Sequence, residues 1–250
     1  MNSSTLPNTK AILLCAGEGT RLGKLTKHCP KPLLPVNGKP LIVHTLNLLK
    51  KAGIDEVVIN VCYLKKVFTE LLGNGEAYGI KIHYLEEEQL SGTAGAVKKA
   101  QEYLENSSEF LTIYGDLFLE TNLSLLIEFH RKNAAAASIC LHKRKNSNSF
   151  VKINEQNEIN SFVERPGKSF VIAGENWVNS GIYCFNPCIF SEIPQNEFMD
   201  FPKDVFPNMI GKGFFGLPFS GERVAVDSAE RYQMANDLCY KLQPKSEEVL

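Results

Sequence analysis

Four short apolar runs, residues 11–15, 56–61, 80–85 and 110–114, recur along the first half of this chain. Stretches with helical spacing punctuate them, at 40–52, 64–72, 93–104 and 123–132. The first helical stretch opens at Pro40, stops before Gly53 and repeats Leu41, Ile42, Thr45, Leu46, Leu48 and Leu49 at helical intervals. Pro inside a helix start and Gly just past its end is the expected punctuation. Strands that read as nearly continuous apolar runs are buried on both faces, as in parallel sheets covered by crossover helices. The expectation is α/β: a Rossmann-like, three-layer α/β/α fold with a mostly parallel mixed sheet. The second half changes character. Residues 150–153 and 159–163 read as a hairpin, 171–173, 178–185 and 224–226 as further strands, and 229–242 as a closing helix. Residues 10–130 thus read as a nucleotide-type half and 134–242 as an α+β half laid against it. No flexible linker separates them, so 1–250 reads as one domain with loose ends at 1–8 and 243–250.

Composition narrows the function. The 250 residues carry 27 Lys plus Arg against 28 Asp plus Glu, a net charge of -1. That balance argues against nucleic acid as a partner, since duplex binding neutralises many phosphates. It leaves room for a local basic site. A chain of this size buries roughly 75% of its unfolded surface, so its core needs no staples. No apolar run approaches the roughly 18 residues that cross a bilayer, and the polar start MNSSTLPN has no signal region. Seven cysteines without a C-x-x-C pair read as reduced, mostly buried thiols in a cytoplasmic protein. His28, His44, His83, His130 and His142 are scattered without metal-ligand spacing and read as core or surface residues.

The densest chemical signal follows the first strand: Leu14-Cys15-Ala16-Gly17-Glu18-Gly19-Thr20-Arg21-Leu22-Gly23. Glycines let a backbone turn sharply and bring bare N–H groups against phosphate oxygens. The spacing G-x-G-x-x-x-G is not the dinucleotide fingerprint, and Gly23-Lys24-Leu25 misses the P-loop pattern. Pro30, Pro32 and Pro35 then forbid a long helix and hold Lys31 on a rigid, extended path. Arg21 and Lys31 together suit a triphosphate, where charge on the transferred phosphorus and on departing pyrophosphate must be neutralised. Further on, Gly115-Asp116 ends the fourth strand. Strand ends of a parallel sheet face the ligand crevice, where Gly115 allows close approach and Asp116 offers oxygen to a hard cation. The bland alternative is an Asp capping the next turn.

Gly17-x-Gly19-Thr20-Arg21-Leu22, continuing through Lys31-Pro32-Leu33-x-Pro35-Val36 to Lys39-Pro40, resembles the signature of the sugar-1-phosphate nucleotidyltransferases, or nucleotide-sugar pyrophosphorylases. The likeness covers most of residues 10–240 and is nearest the short, single-domain members, which include mannose-1-phosphate and heptose-1-phosphate guanylyltransferases and N-acetylmuramate-1-phosphate uridylyltransferases. No hexapeptide repeats follow, so the acyltransferase domain of some relatives is not expected.

The resemblance implies an enzyme that makes an NDP-sugar and pyrophosphate from an NTP and a sugar 1-phosphate, with Mg²⁺ as cofactor. It gives Arg21 and Lys31 catalytic roles. It assigns Ala16, Gly17, Gly19, Thr20, Glu87, Gly92, Thr93 and Gly115 to the nucleotide. Asp116 and Asp227 are assigned to the metal, and Glu164, Arg165 and Asn179, in the second half, to the sugar phosphate. The homodimer is an option, and no membrane is involved.

Three positions depart from the family pattern. Asp227-Ser228-Ala229 stands where relatives carry Asp-Ile/Val-Gly-Thr, so Asp227 could instead be the N-cap of the last helix. Arg165 stands for a Lys, keeping a phosphate grip of different geometry, or forming an exposed pair with Glu164. Ser149 stands for a Gly and could narrow the sugar pocket. Trp177 packs near that pocket or in the core. Glu87 replaces a Gln that commonly matches uracil. A carboxylate offers only acceptors, which complements the two donors of guanine and favours GTP, unless Glu87 is a solvated strand-end acid. UTP-dependent uridylyl transfer is one alternative. A cytidylyltransferase for amino-alcohol phosphates is another, and would favour an aromatic cage. A non-catalytic nucleotide-binding regulator would have lost one of Arg21, Lys31, Asp116 or Asp227; all four are present.

Overall fold

The computed structural model describes residues 8–167 and 171–242; of the loose ends expected at 1–8 and 243–250, all but Asn8 lie outside the described residues. The first half runs β1 (Thr9–Leu14), two 3-10 segments (Thr20–Thr26 and Lys31–Leu33), a short ribbon of β2 (Pro35–Val36) and β3 (Lys39–Pro40), and α1 (Leu41–Lys51). It continues with β4 (Glu56–Val61), α2 (Lys65–Leu72), β5 (Lys81–Glu86), α3 (Gly92–Lys99), α4 (Gln101–Leu104), β6 (Glu109–Tyr114), β7 (Leu117–Glu120) and α5 (Ser124–Lys132). The second half holds β8 (Ala137–Ser147), β9 (Ser149–Ile153), β10 (Ile159–Glu164), β11 (Ile172–Phe185), a π-turn (Phe201–Val205) and α6 (Phe206–Met209). β12 (Phe214–Pro218), β13 (Glu222–Ala225) and α7 (Ala229–Leu242) close it.

One nine-stranded mixed sheet joins both halves, in the order β10-β9-β11-β6-β1-β4-β5, with β8 between β11 and β12. It is parallel across β6-β1-β4-β5 and antiparallel where β11 meets β6, β8 and β9. Residues alternate between faces along a strand, and the two cores follow. Ala11 and Leu13 of β1 face a core with α1, α2 and α5; Ile12 faces the other, with α3, α4 and α6. That second core is aromatic: Phe201 stacks on Phe185 at 4.8 Å and Phe206 on Phe214 at 5.1 Å between ring centroids. A third cluster, with Leu22, Leu34, Phe118, Val226 and Ala235, fastens the loop after β1 to the β7–β13 ribbon and α7. Among the described residues no helix is long and apolar enough to cross a membrane.

Several elements differ from the sequence reading, in which the short strands β2, β3, β7 and β12 are absent. The helix expected over 93–104 breaks at Ala100 into α3 and α4. The strands expected at 171–173 and 178–185 are one strand, β11, irregular in register between Asn179 and Tyr183. β8 has no counterpart in that reading, because its first five residues are buried while Lys143–Asn146 are solvent-exposed, so no single periodicity marks it.

His130 on α5 is 3% exposed, with Nδ1 3.0 Å from the Ser138 hydroxyl of β8. Burial pushes its pKa from 6.5 down to about 4, with Glu109 opposing and Arg131 adding to the shift. A neutral folded ring contributes stability that is fully present above pH 6.5 and is lost as the pH falls towards 4. We expect urea unfolding to show His130→Gln losing less stability than the parent between pH 7 and pH 4.5, by on the order of 2–3 kcal/mol. Equal losses in the two proteins would show that the ring takes up its proton as readily in the fold as in the unfolded chain.

Candidate active site

The C-terminal ends of β1, β4, β5 and β6 open on one side of the sheet, where open α/β sheets bind ligands. A cavity of about 280 Å³ lies there, lined by Ala16, Gly17, Lys31, Asn60, Glu87, Gly92, Thr93, Asp116 and Asp200, with Leu90 and Phe198 at its apolar edge. It shares Thr93, Tyr114, Asp116 and Asp200 with a second cavity of about 410 Å³. Arg21, Glu164, Arg165, Asn179, Lys203, Arg223 and Asp227 line the rest of that one. The two form a continuous cleft running from the glycine loop to the β11 side.

Charge is paired along this cleft. Lys31 Nζ lies 3.0 Å from Asp116 Oδ2, and Arg21 Nη1 lies 3.1 Å from Asp227 Oδ2. The Val226 N–H donates to the Asp116 carbonyl at 2.8 Å, so the strand end bearing Asp116 and the corner bearing Asp227 are stitched together. Ser228, not Asp227, serves α7: its hydroxyl accepts from the Arg231 N–H at 3.2 Å. The departure Asp227-Ser228 therefore supplies a cap and leaves Asp227 facing the cleft. Glu164 pairs with Arg165 at 3.3 Å. Burial pushes the Glu164 carboxyl up, with Arg165 and Ser149 opposing.

A family model described as Nucleotidyl transferase matches residues 10–220, spanning this cleft. The chain belongs to the nucleotidyl transferase family. It is 28% identical over 242 residues to a UTP--glucose-1-phosphate uridylyltransferase of Synechocystis sp., covering 90% of this chain and 62% of that protein. It is 31% identical over 205 residues to a mannose-1-phosphate guanylyltransferase of Mycobacterium tuberculosis, covering 81% of this chain and 56% of the relative. The chain thus spans about 56–62% of the length of these relatives. The fold matches that of HddC from Yersinia pseudotuberculosis with a TM-score of 0.77 at 23% identity, covering 92% of this chain and 99% of that one.

Several residues of the sequence reading do other work in this family member. Glu87 is neither solvated nor open to a base. Its side chain is 1% exposed and accepts from Asn60 Nδ2 at 2.8 Å, Lys99 Nζ at 3.0 Å and the Ser91 hydroxyl. A carboxylate so engaged offers no edge to guanine N–H groups. Asn179 donates to the Tyr183 hydroxyl at 2.8 Å and accepts from the Gly181 N–H at 2.9 Å. Its amide fastens the irregular stretch of β11 while lining the second cavity. Ser149 is buried, and its hydroxyl accepts from the Arg165 N–H at 3.2 Å, which fixes the Glu164–Arg165 corner. Gly115 makes its close approach to protein: a Cβ there would stand 2.4 Å from Cys15 Sγ and 3.0 Å from the Leu14 carbonyl. Gly19 and Thr20 line neither cavity; the Gly19 carbonyl accepts from Leu22 and Thr26.

The sequence reading missed Asn60, Ser91, Asp200 and Phe198. Asp200 Oδ1 accepts from the Thr93 N–H at 3.0 Å and from its hydroxyl at 3.2 Å, closing the start of α3. Gly92, at φ +77°, lets Met199 lie over that turn, since a Cβ would stand 2.3 Å from the Met199 carbonyl. Asn60 carried a signal: a lone amide inside the apolar run EVVINV. Its Oδ1 accepts from the Cys15 N–H at 2.7 Å while Nδ2 holds Glu87. Asn60→Ala strands a buried N–H and a buried carboxylate oxygen, so denaturant unfolding should show a loss of about 2–3 kcal/mol. A loss under about 0.5 kcal/mol would mean that water replaces the amide.

Proposed function

We propose that this protein transfers a nucleotidyl group from an NTP to a sugar 1-phosphate, releasing pyrophosphate. The observation that carries this reading is the junction of the two cavities at the Lys31–Asp116 pair. On one side lies a crevice with an apolar rim, Leu90 and Phe198, suited to a base. On the other lies a cleft whose charged groups, Arg21, Arg165, Lys203 and Arg223, suit a phosphorylated acceptor. An oxygen of the sugar phosphate attacks the α-phosphorus in line, and the bond from that phosphorus to the bridging oxygen of pyrophosphate breaks. A phosphate monoester is largely dianionic at neutral pH because its second pKa is about 6, so the attack needs no protein base. Lys31 and Arg21 stabilise charge on the transferred phosphorus and the departing oxygens, and the cleft supplies alignment.

The donor set fits Mg²⁺. Asp116 and Asp227 are hard-oxygen ligands lining one cavity, and Mg²⁺ is commonly held by one or two carboxylates together with substrate phosphates. Bound there, it would polarise phosphoryl oxygens and neutralise charge. The pairs with Lys31 and Arg21 hold both carboxylates at the cleft.

GTP with mannose- or heptose-type acceptors is the favoured substrate pair. With Glu87 engaged inside the protein, the support for GTP is the likeness to mannose-1-phosphate guanylyltransferases at 31% identity. UTP is the second reading, supported by the uridylyltransferase relative that matches 90% of this chain. Seven free cysteines suit a reducing compartment, and we place the enzyme in the cytoplasm.

A pyrophosphate-release assay crossing four NTPs with a panel of sugar 1-phosphates tests the reading; no turnover with any pair overturns it. Lys31→Ala should lower kcat by about 10²–10³-fold with a smaller change in KM. An effect confined to KM would make Lys31 a ground-state binder only. Asp116→Ala should abolish Mg²⁺-dependent turnover while the thermal transition persists.

A further inference from the structure

Past Glu164 the cleft widens into a cavity of about 540 Å³ reaching β8. Six cationic side chains line it, Arg21, Lys143, Arg144, Arg165, Arg223 and Arg231, against two acids, Glu164 and Asp227. In a chain of net charge -1, that local excess is a property of the cavity and not of the surface at large. Three of the six have carboxylate partners: Arg21 and Arg231 on Asp227, and Arg165 on Glu164. Lys143 lies over the Trp177 ring, 4.1 Å from its centroid. Arg144 and Arg223 make no ion pair with any described residue.

Arg223 is the telling one. It is partly buried on β13, where Nε donates to the Ser180 carbonyl at 2.7 Å, and burial pulls its pKa down despite Asp116 nearby. A guanidinium drawn partly out of water with no carboxylate in direct contact is costly, and an anion arriving in the cavity would offset that cost beyond what the more distant Asp116 and Asp227 supply. His142 reports the same field. Burial, then Arg223, Arg144 and Arg231, push its pKa down to about 4, so it adds no charge at neutral pH.

Of the neutral polar groups here only the Asn148 amide lacks a hydrogen bond with a described residue; the others are engaged. The Asn179 amide holds Tyr183 and Gly181, the Ser149 hydroxyl holds the Arg165 N–H, and the Ser180 hydroxyl bonds His142 at 3.0 Å. A ring bearing only hydroxyls would find few neutral partners, while an oxyanion would meet two guanidinium forks suited to bidentate contact.

We propose that this cavity is a subsite for a second oxyanion on the acceptor, making the substrate an acidic sugar 1-phosphate that carries a carboxylate or a further phosphate ester on its ring. The proposal rests on the sugar 1-phosphate reading above. The test compares matched acceptors: glucose 1-phosphate with glucuronic acid 1-phosphate and glucose 1,6-bisphosphate, and the mannose counterparts of all three. Each is assayed for pyrophosphate release with every NTP, and titrated calorimetrically with and without a non-hydrolysable NTP analogue. We expect kcat/KM at least about tenfold higher for an acidic acceptor than for its neutral parent. Preference for the uronate or for the bisphosphate identifies the oxyanion. Arg223→Gln and the exposed Arg144→Gln should each reduce that ratio at least about fivefold, and Arg144→Glu further, with unchanged circular dichroism. Neutral parents used as well as the acidic acceptors would overturn the subsite while leaving nucleotidyl transfer intact. If no pair turns over, transfer itself fails and the titrations decide the subsite. Tighter binding of the acidic acceptors that is lost in both Gln variants upholds it, and equal binding of acidic and neutral acceptors overturns it.

Discussion

A carboxylate taken out of water must be met by donors, and the Glu87 carboxylate organises the nucleotide side of this protein through the donors that meet it. Lys99 and Ser91 reach it from α3 and the turn before it, and Asn60 reaches it from β4. Asn60 in turn receives the Cys15 N–H. Four separate pieces of chain, the ends of β1, β4 and β5 and the start of α3, are thereby locked to one buried charge. The glycine loop springs from the β1 end, and the turn holding Gly92 and Thr93 lies at the α3 end. Placement of the expected phosphate-binding backbone is therefore a consequence of an ionic network two residues away from it.

Much of the fold was legible because burial on both faces writes itself into composition. The runs at 11–15, 56–61 and 110–114 are apolar without alternation, and each lies within or at the end of a central strand of the sheet. Where a single element passes from core to solvent, that record breaks. β8 begins as Ala-Ser-Ile-Cys-Leu and continues as His-Lys-Arg-Lys-Asn, and the second part reads as a charged loop although β11 pairs with it throughout. For the same reason 171–173 and 178–185 read as two strands. The intervening Gly174 and Glu175 are exposed and Asn176 is half-buried, which hides their continuity.

Site residues were legible by type but not by duty. Gly, Asp, Glu and Asn at strand ends announced a polar crevice, and the structure gathers most of them around it. Sequence does not reveal which face of an amide or carboxylate is already occupied. Asn179 and Glu87 look the same as ligand-binding residues until Tyr183, Gly181, Asn60 and Lys99 are seen to occupy part of their hydrogen-bonding capacity. The residues that were missed, Asp200 above all, act across long separations in the chain. The Thr93–Asp200 contact spans 107 positions, beyond any local pattern.

On the proposed function, the same two-sided use of charge would let one cleft serve two polyanions. Lys31 with Asp116 and Arg21 with Asp227 pair each cation with a carboxylate, so hard-oxygen ligands stand beside these cations for a divalent ion. Towards β8 the pairing is incomplete: Arg165 and Arg231 have carboxylate partners, while Arg144 and Arg223 make no ion pair among the described residues. A field that rises along the cleft orients a molecule with unequal charge at its ends. A nucleoside triphosphate, neutral at its base, gains from lying with the base under Phe198 and Leu90 and its phosphates towards Lys31. An acceptor with a second charge gains from pointing that charge away from the triphosphate, towards β8, where it also escapes the repulsion of the phosphates it must approach. Separating two anions while holding their reacting atoms together is an electrostatic problem. Graded, unequal pairing of cations along one crevice solves it without moving parts.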